Sequence, residues 1–207
     1  MAGLDFGYAQ TKWVSEQLVH QARQQGIDAR IYRPAFITAS TAGFGHSTDI
    51  VIRLLSFMIK YGVAPNTDIQ LSFMPVDIAA HNIAAVMTST KSQETVFHVT
   101  VDEYFNIVDL TTQISKDYGI FFRYVDMEDF SREMKRLSSV ADPVFPLVDF
   151  VARSHSKVVV MEQKRYRNTA FRQALDHSGA GVSDAGFQKT VSYLVAHLRT
   201  LGVLPQD

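Results

Sequence analysis

The residue types best placed to do chemistry stand almost at the amino end, in Gly7-Tyr8-Ala9-Gln10-Thr11-Lys12-Trp13. Tyr8 and Lys12 are four residues apart. On a helix that spacing puts both side chains on one face, one turn apart. A phenol has a pKa of about 10 and gives up its proton reluctantly at neutral pH. An ammonium group beside it stabilises the phenolate and lowers that value. The phenol then becomes a usable general acid toward a carbonyl oxygen. The same spacing also suits an i,i+4 pair on a solvated helix, so spacing alone leaves both readings open.

The pair needs a helix, and the sequence supplies one. Residues 8–25 set Trp13, Leu18, Val19 and Ala22 at apolar positions among Glu16, Gln17, Arg23, Gln24 and Gln25. Gly26 ends this helix, and Ala29-Arg30-Ile31-Tyr32-Arg33 reads as a strand closed by Pro34. Helix, glycine and strand make the return half of a βαβ unit, the first sign of an α/β sheet. Residues 38–49 form a loop beyond the strand's carboxyl end, where open α/β sheets place ligands. Asp49 or Thr48 caps a helix to Tyr61 so rich in apolar residues that burial on several sides is expected. Gly62 ends it, and Pro65-Asn66 reads as a turn.

The alternation continues with a strand over Gln70–Met74 and a helix to about Thr88, opened by Pro75-Val76-Asp77 with Asp77 as its cap. A strand Thr95–Thr100, a helix Asn106–Tyr118 and a strand Phe121–Val125 follow. After Asp126 the pattern turns helical: Met127–Leu137, a helix opened by Asp142-Pro143, Asn168–Leu175 and Ser183–Leu201. The chain thus divides into an alternating part, residues 1–125, and a mainly helical part, residues 126–207.

Composition excludes several classes. The formal net charge is −1, from Lys+Arg 20 against Asp+Glu 21. That leaves no basic footprint for nucleic acid and no polybasic signal for a membrane surface. No apolar run reaches the ~18 residues of a membrane span, and no signal peptide is legible. With Cys 0, disulfides, thiol catalysis and thiolate metal sites are out of reach, and a cytoplasmic location is the simplest expectation. The seven histidines show no metal-ligand spacing, so no metal site is expected. His46 reads as a solvated loop residue. Arg33-Pro34 has a plain reading too, a strand end with its arginine facing solvent.

The wider string Gly7-Tyr8-Ala9-Gln10-Thr11-Lys12-Trp13-Val14-Ser15-Glu16, then Gly26, then Ile31-Tyr32-Arg33-Pro34, resembles the second half of an extended short-chain dehydrogenase/reductase. It is most similar to the thioester reductase domains that end nonribosomal peptide and polyketide synthases. Carboxylic acid reductases and fatty acyl-CoA reductases are close relatives. Later features agree: the loop containing Gly43, Val76-Asp77, Phe97-His98-Val99, Arg165-Tyr166-Arg167-Asn168-Thr169 followed by Leu175, and Leu201-Gly202-Val203-Leu204-Pro205. The resemblance covers essentially the whole chain.

The resemblance implies an α/β fold: the second half of a Rossmann-like region, with a helical substrate-binding subdomain after it. It implies NADPH as cofactor and, as partner, an acyl or peptidyl carrier protein bearing a phosphopantetheine thioester. Tyr8 would be the catalytic acid, and Lys12 would hold the nicotinamide ribose hydroxyls while tuning Tyr8. Pro34, Ala35, Phe36 and Ile37 would line the nicotinamide, and loop 38–49 with helix 50–61 would border the acyl and phosphopantetheine channel. The product would be an aldehyde, or an alcohol after a second reduction.

The family's Gly-rich strand–turn–helix, its first strands and its catalytic Ser or Thr all precede the tyrosine, whereas seven residues precede Tyr8 here. Gly179-Ala180-Gly181 follows no apolar strand and reads as the turn before the last helix. The expectation is therefore a missing N-terminal cofactor-binding half and an isolated chain that is inactive. The alternatives are a fatty acyl-CoA reductase fragment, a nucleotide-sugar epimerase and a non-catalytic substrate- or carrier-docking module. Asn168-Thr169 and Leu204-Pro205 speak against the epimerase.

Overall fold

The computed structural model describes residues 7–89, 94–158, 165–180 and 184–206, with backbone only over 154–158. Helix α1 runs Gly7–Gln24, and none of its residues is buried. Gly26 turns the chain at φ +88, a left-handed value that suits glycine. Two strands follow almost as one extended segment, β1 (Ile31–Pro34) and β2 (Phe36–Thr38).

That segment changes partners in mid-course. β1 pairs in parallel with β5 (Val96–Val99), and β2 pairs in parallel with β4 (Phe73–Pro75). The change falls between neighbouring amides: Ala35 N donates to Val99 O at 3.0 Å and Phe36 N to Ser72 O at 3.1 Å. Ser72 bolts the two ladders together, its hydroxyl accepting from Val101 N at 3.2 Å. A third parallel pair joins β3 (Val63–Pro65) to β6 (Arg123–Val125).

β2 and β3 are departures from the sequence reading. Three-residue strands are too short to show a period, and both contain or adjoin the residues read as breaks. Pro65 is a strand residue opposite Val125, not a turn; it closes β3, and Asn66 N makes the next bond to Val125 O at 2.7 Å.

Helix α2 (Ile50–Tyr61) is capped by Asp49, whose carboxylate accepts from Val51 N and Ile52 N, and it ends at Gly62 in the left-handed region. Helix α3 (Val76–Thr88) differs from expectation: Pro75 occupies the cap position, with no side-chain bond, and Asp77 lies inside the first turn. Helix α4 (Ile107–Tyr118) opens with a reciprocal capping box between Asn106 and Asp109. Helix α5 (Met127–Leu137) is capped by Asp126. Asp142-Pro143 opens no helix. A 3₁₀ turn, Phe145–Leu147, leads instead into α6 (Val148–Val158), because the Asp142 carboxylate is taken by other partners. Helices α7 (Thr169–Ser178) and α8 (Gly186–Thr200) complete the described residues.

Two apolar clusters hold these elements. One gathers Leu55 and Met58 of α2, Leu110 and Ile114 of α4, Phe130 and Met134 of α5, and Leu194 and Leu198 of α8. The other joins Val86 of α3, Phe97 and Val99 of β5, and Phe171 and Leu175 of α7. Each fully buried Phe, Leu or Met contributes about 1.5–3 kcal/mol. Both clusters draw on residues before and after Asp126. The loop after β5 ties the same halves with polar groups. Asp102 accepts from Asn168 at 2.8 Å and pairs with Arg172, and Glu103 accepts from Phe187 N at 2.7 Å.

Candidate active site

Helix α1 brings the predicted pair together. Lys12 Nζ lies 5.4 Å from the centroid of the Tyr8 ring, an ammonium group over a π face. Tyr8 is 66% exposed, so its hydroxyl is reachable from outside. No residue of α1 is fully buried, and polar ties carry much of what holds it. Arg23 Nη1 donates to Ala29 O at 2.7 Å near the carboxyl end. Further toward the amino end, Glu16 meets Arg33 of β1 in a bidentate pair, with Nε to Oε1 at 2.7 Å and Nη2 to Oε2 at 2.5 Å.

Arg33 therefore does not simply face solvent, as a plain strand-end reading has it. Its remaining edge turns to β5, where Nη1 lies 3.4 Å from His98 Nε2. The Arg33 hydrogen bonds hold the Glu16 carboxyl below its ordinary value, against the opposing effect of burial. Burial, then the Arg33 charge, pushes the His98 imidazole down, with Glu16 opposing. The His98 ring stacks on Tyr166, with centroids 5.2 Å apart and planes 18° from parallel.

The other predicted positions lie along the β1–β2 segment. Pro34 and Phe36 are exposed, and Ala35 and Ile37 are half-buried. Their backbones are engaged by β5 and β4, and the Phe36 ring lies 5.7 Å from that of Phe73. Residues 38–49 then fold back over the end of the strands. Asp77, at the start of α3, receives the Thr41 hydroxyl at 2.5 Å and the Thr41 amide at 3.1 Å. Burial would raise the Asp77 carboxyl, but these bonds prevail and hold it below its usual range. Gly43 packs on α8 with φ +76, where an added Cβ would stand 2.6 Å from Ala196 Cβ. His46 is exposed and bonds within its own loop, its Nδ1 2.6 Å from the Thr48 hydroxyl.

This surface fits one end of a nicotinamide dinucleotide better than the other. The phenol, the ammonium group and the open Pro34–Ile37 run suit the nicotinamide ribose. A pyrophosphate needs free amides at a helix N-terminus. Among the described residues some such amides are already met by side chains, from Asp49 at α2, Asn106 at α4, Asp126 at α5 and Glu103 at α8, whereas Asn168 at α7 makes no side-chain cap bond. No group of three His, Asp or Glu that could hold a metal occurs among them.

Glu16, His98, Asp77 and Glu103 were not among the sequence candidates. One signal for Glu16 was present: it lies four residues beyond Lys12, on the same helix face.

Comparison with known proteins gives a consistent picture. Residues 1–83 match the Male sterility protein family of NAD-binding domains. The chain is 30% identical over 198 residues to a linear gramicidin synthase chain of Brevibacillus parabrevis, covering 92% of this chain and 4% of that protein. It is 27% identical to the L-2-aminoadipate reductase of Saccharomyces cerevisiae, over 99% of this chain and 15% of that one. Its fold superposes on the terminal R domain from the myxalamid PKS-NRPS pathway with a TM-score of 0.80 at 23% identity, covering 99% of this chain and 52% of the other. A thiolation-reductase di-domain from an archaeal non-ribosomal peptide synthetase follows at a TM-score of 0.73 and 16% identity, over 96% of this chain and 42% of that one. The chain thus spans about half of the reductase structure and a small part of the curated relatives.

Proposed function

We propose that this chain, which belongs with the reductase domains of nonribosomal peptide synthetases and L-2-aminoadipate reductases, is part of an NADPH-dependent thioester reductase. Its substrate is an acyl or peptidyl thioester on the phosphopantetheine arm of a carrier protein. Its product is an aldehyde, or an alcohol after a second round.

One observation carries the reading: Lys12 stands over the Tyr8 ring on a helix gripped by Arg33, the residue before Pro34. From Glu16, Lys12 is about 6 Å and Tyr8 about 12 Å further along the helix axis. From Arg33, Ile37 is about 13 Å further along the strand. The Arg23–Ala29 and Glu16–Arg33 ties run in opposite senses along the two elements, which supports Tyr8 lying toward the Ile37 end of the strand.

Bound NADPH supplies the hydride. Lys12, with its ammonium group over the Tyr8 ring, would hold the nicotinamide ribose hydroxyls. Tyr8 gives its proton to the carbonyl oxygen as negative charge develops there. Pro34, Ala35, Phe36 and Ile37 line the nicotinamide ring and exclude water. Loop 38–49, pinned by Asp77 and Gly43, borders the pantetheine channel. The helical residues 126–207 form the substrate-binding part. A preceding cofactor-binding half supplies the phosphate cradle and the Ser or Thr partner of Tyr8, and the location is cytoplasmic.

Tyr8→Phe in the longer protein tests the reading. It should lower thioester reduction by about 10²–10⁴-fold, the usual range for a positioned acid, with NADPH affinity unchanged. Near-normal turnover would remove Tyr8 from the mechanism. A second reading, a substrate- or carrier-docking module without its own redox step, is favoured by the side-chain caps at α2, α4, α5 and α8. Fluorescence titration of the 207-residue chain with NADPH separates the two. Saturable micromolar binding would refute both the docking module and the missing cradle.

A further inference from the structure

We propose that His98 is a positioning residue for the Tyr8–Lys12 pair, acting through Arg33 and Glu16. Its consequence for turnover rests on the reductase reading; the coupling itself does not.

Five observations carry it. No residue of α1 is fully buried, so polar ties carry much of what fixes the helix's rotation about its own axis. The bidentate Glu16–Arg33 pair is such a tie, because two parallel bonds fix a plane as well as a distance. Arg33 lies on an exposed stretch, with its side chain 42% exposed, and a guanidinium there has rotamer freedom to lose. Its third donor edge is occupied by His98 Nε2 at 3.4 Å. A guanidinium has no acceptor, so His98 must accept, which puts its proton on Nδ1. The His98 ring is itself fixed by its stack on Tyr166, on the segment leading into α7. A rigid ring on β5 thus aims the fork of β1 at the helix that carries the chemistry.

The groups facing His98 are Arg33 from β1, Glu16 from α1 and Tyr166 from the α7 approach, with His20 of α1 acting on Glu16. Protonation of His98 removes the acceptor and sets a second cation against Arg33. Burial and the Arg33 charge keep the imidazole neutral down to below its ordinary 6.5. The aim of the fork is therefore intact at neutral pH and fails on acidification.

The test is amide hydrogen exchange of the full 207-residue chain, read on peptides covering residues 8–20 and corrected for intrinsic rates. His98→Phe keeps a ring to stack and removes the acceptor. It should speed exchange in α1 about fivefold, the ratio one ordinary hydrogen bond sets, and leave β5 and α7 unchanged. His98→Gln, which keeps an acceptor, should restore most of the protection. The wild type should show extra exchange in α1 only once pH falls below 6.5, and both variants should lack that response. Wild-type protection of α1 in His98→Phe, or an acid response surviving in His98→Gln, overturns the proposal. Should His98→Phe open β5 itself, the pH profile of His98→Gln decides alone. None of these readouts uses turnover, so loss of the reductase reading and loss of this one are told apart.

Discussion

Asp142→Asn perturbs a single buried carboxylate and leaves its volume nearly unchanged. Asp142 is 7% exposed and collects four bonds: Lys60 Nζ at 2.5 Å, Tyr61 OH at 2.9 Å, Ser139 N at 2.7 Å and Ser139 Oγ at 3.2 Å. It ties the end of α2 to the segment between α5 and α6. Burial by itself would raise the carboxyl, but the bonds from Lys60, Ser139 and Tyr61 take it down to about 2, from 3.8. A difference of that size corresponds to about 2.4 kcal/mol at neutral pH. The Lys60 side chain is 56% exposed, so solvent screens its share, leaving roughly 1–2 kcal/mol. The sign follows from the lowered value in the folded state. The contribution is complete above 3.8 and is lost as pH falls through about 2. Urea unfolding at pH 7 should show the variant less stable by roughly 1–2 kcal/mol, with the gap about halved at pH 3. A gap under about 0.5 kcal/mol at pH 7, or one equally wide at both pH values, would refute the electrostatic account.

Two further changes probe loop 38–49 and the helix beneath it. Gly43→Ala places a Cβ at φ +76 and 2.6 Å from Ala196 Cβ, and should cost roughly 2–4 kcal/mol; an unchanged urea midpoint would show that the loop is not held on α8. His197 is 3% exposed, with neither ring nitrogen hydrogen-bonded among the described residues. His197→Leu should therefore raise stability by about 1–2 kcal/mol in the same assay, and a lower midpoint would contradict the claim that the imidazole is a buried polar cost.

What the sequence made legible were the long periodic helices and the meeting of one local pair. Tyr8 and Lys12 sit one turn apart, so a local rule predicts their meeting. Asp49 and Gly62 were legible for the same reason, since caps act on neighbouring amides. Choices of distant partner were not. Nothing near Phe36 announces that its amide goes to Ser72 while the amide before it goes to Val99. Asp77 resembles a cap, but besides Ile78 N its carboxylate serves the distant Thr41, and Asp142-Pro143 resembles a helix start and instead serves Lys60 and Tyr61. In each case a local pattern lost to a partner that only tertiary structure supplies. The candidate site divides the same way: its Tyr8–Lys12 pair is local, whereas the Glu16–Arg33–His98 chain spans three elements.

The parallel ladders have a consequence for how the chain comes to be folded. Ile31 is opposite Val96, Phe36 opposite Phe73 and Val63 opposite Arg123, so β1, β2 and β3 each wait for a mate far downstream. Long closures of this kind slow folding, because loop entropy is lost before any contact compensates for it. On the ribosome, at about 5–20 residues per second, Ile31 would emerge roughly 3–13 seconds before Val96. During that interval β1 lacks its β5 partner, and the Arg33–His98 contact beside Glu16 cannot form.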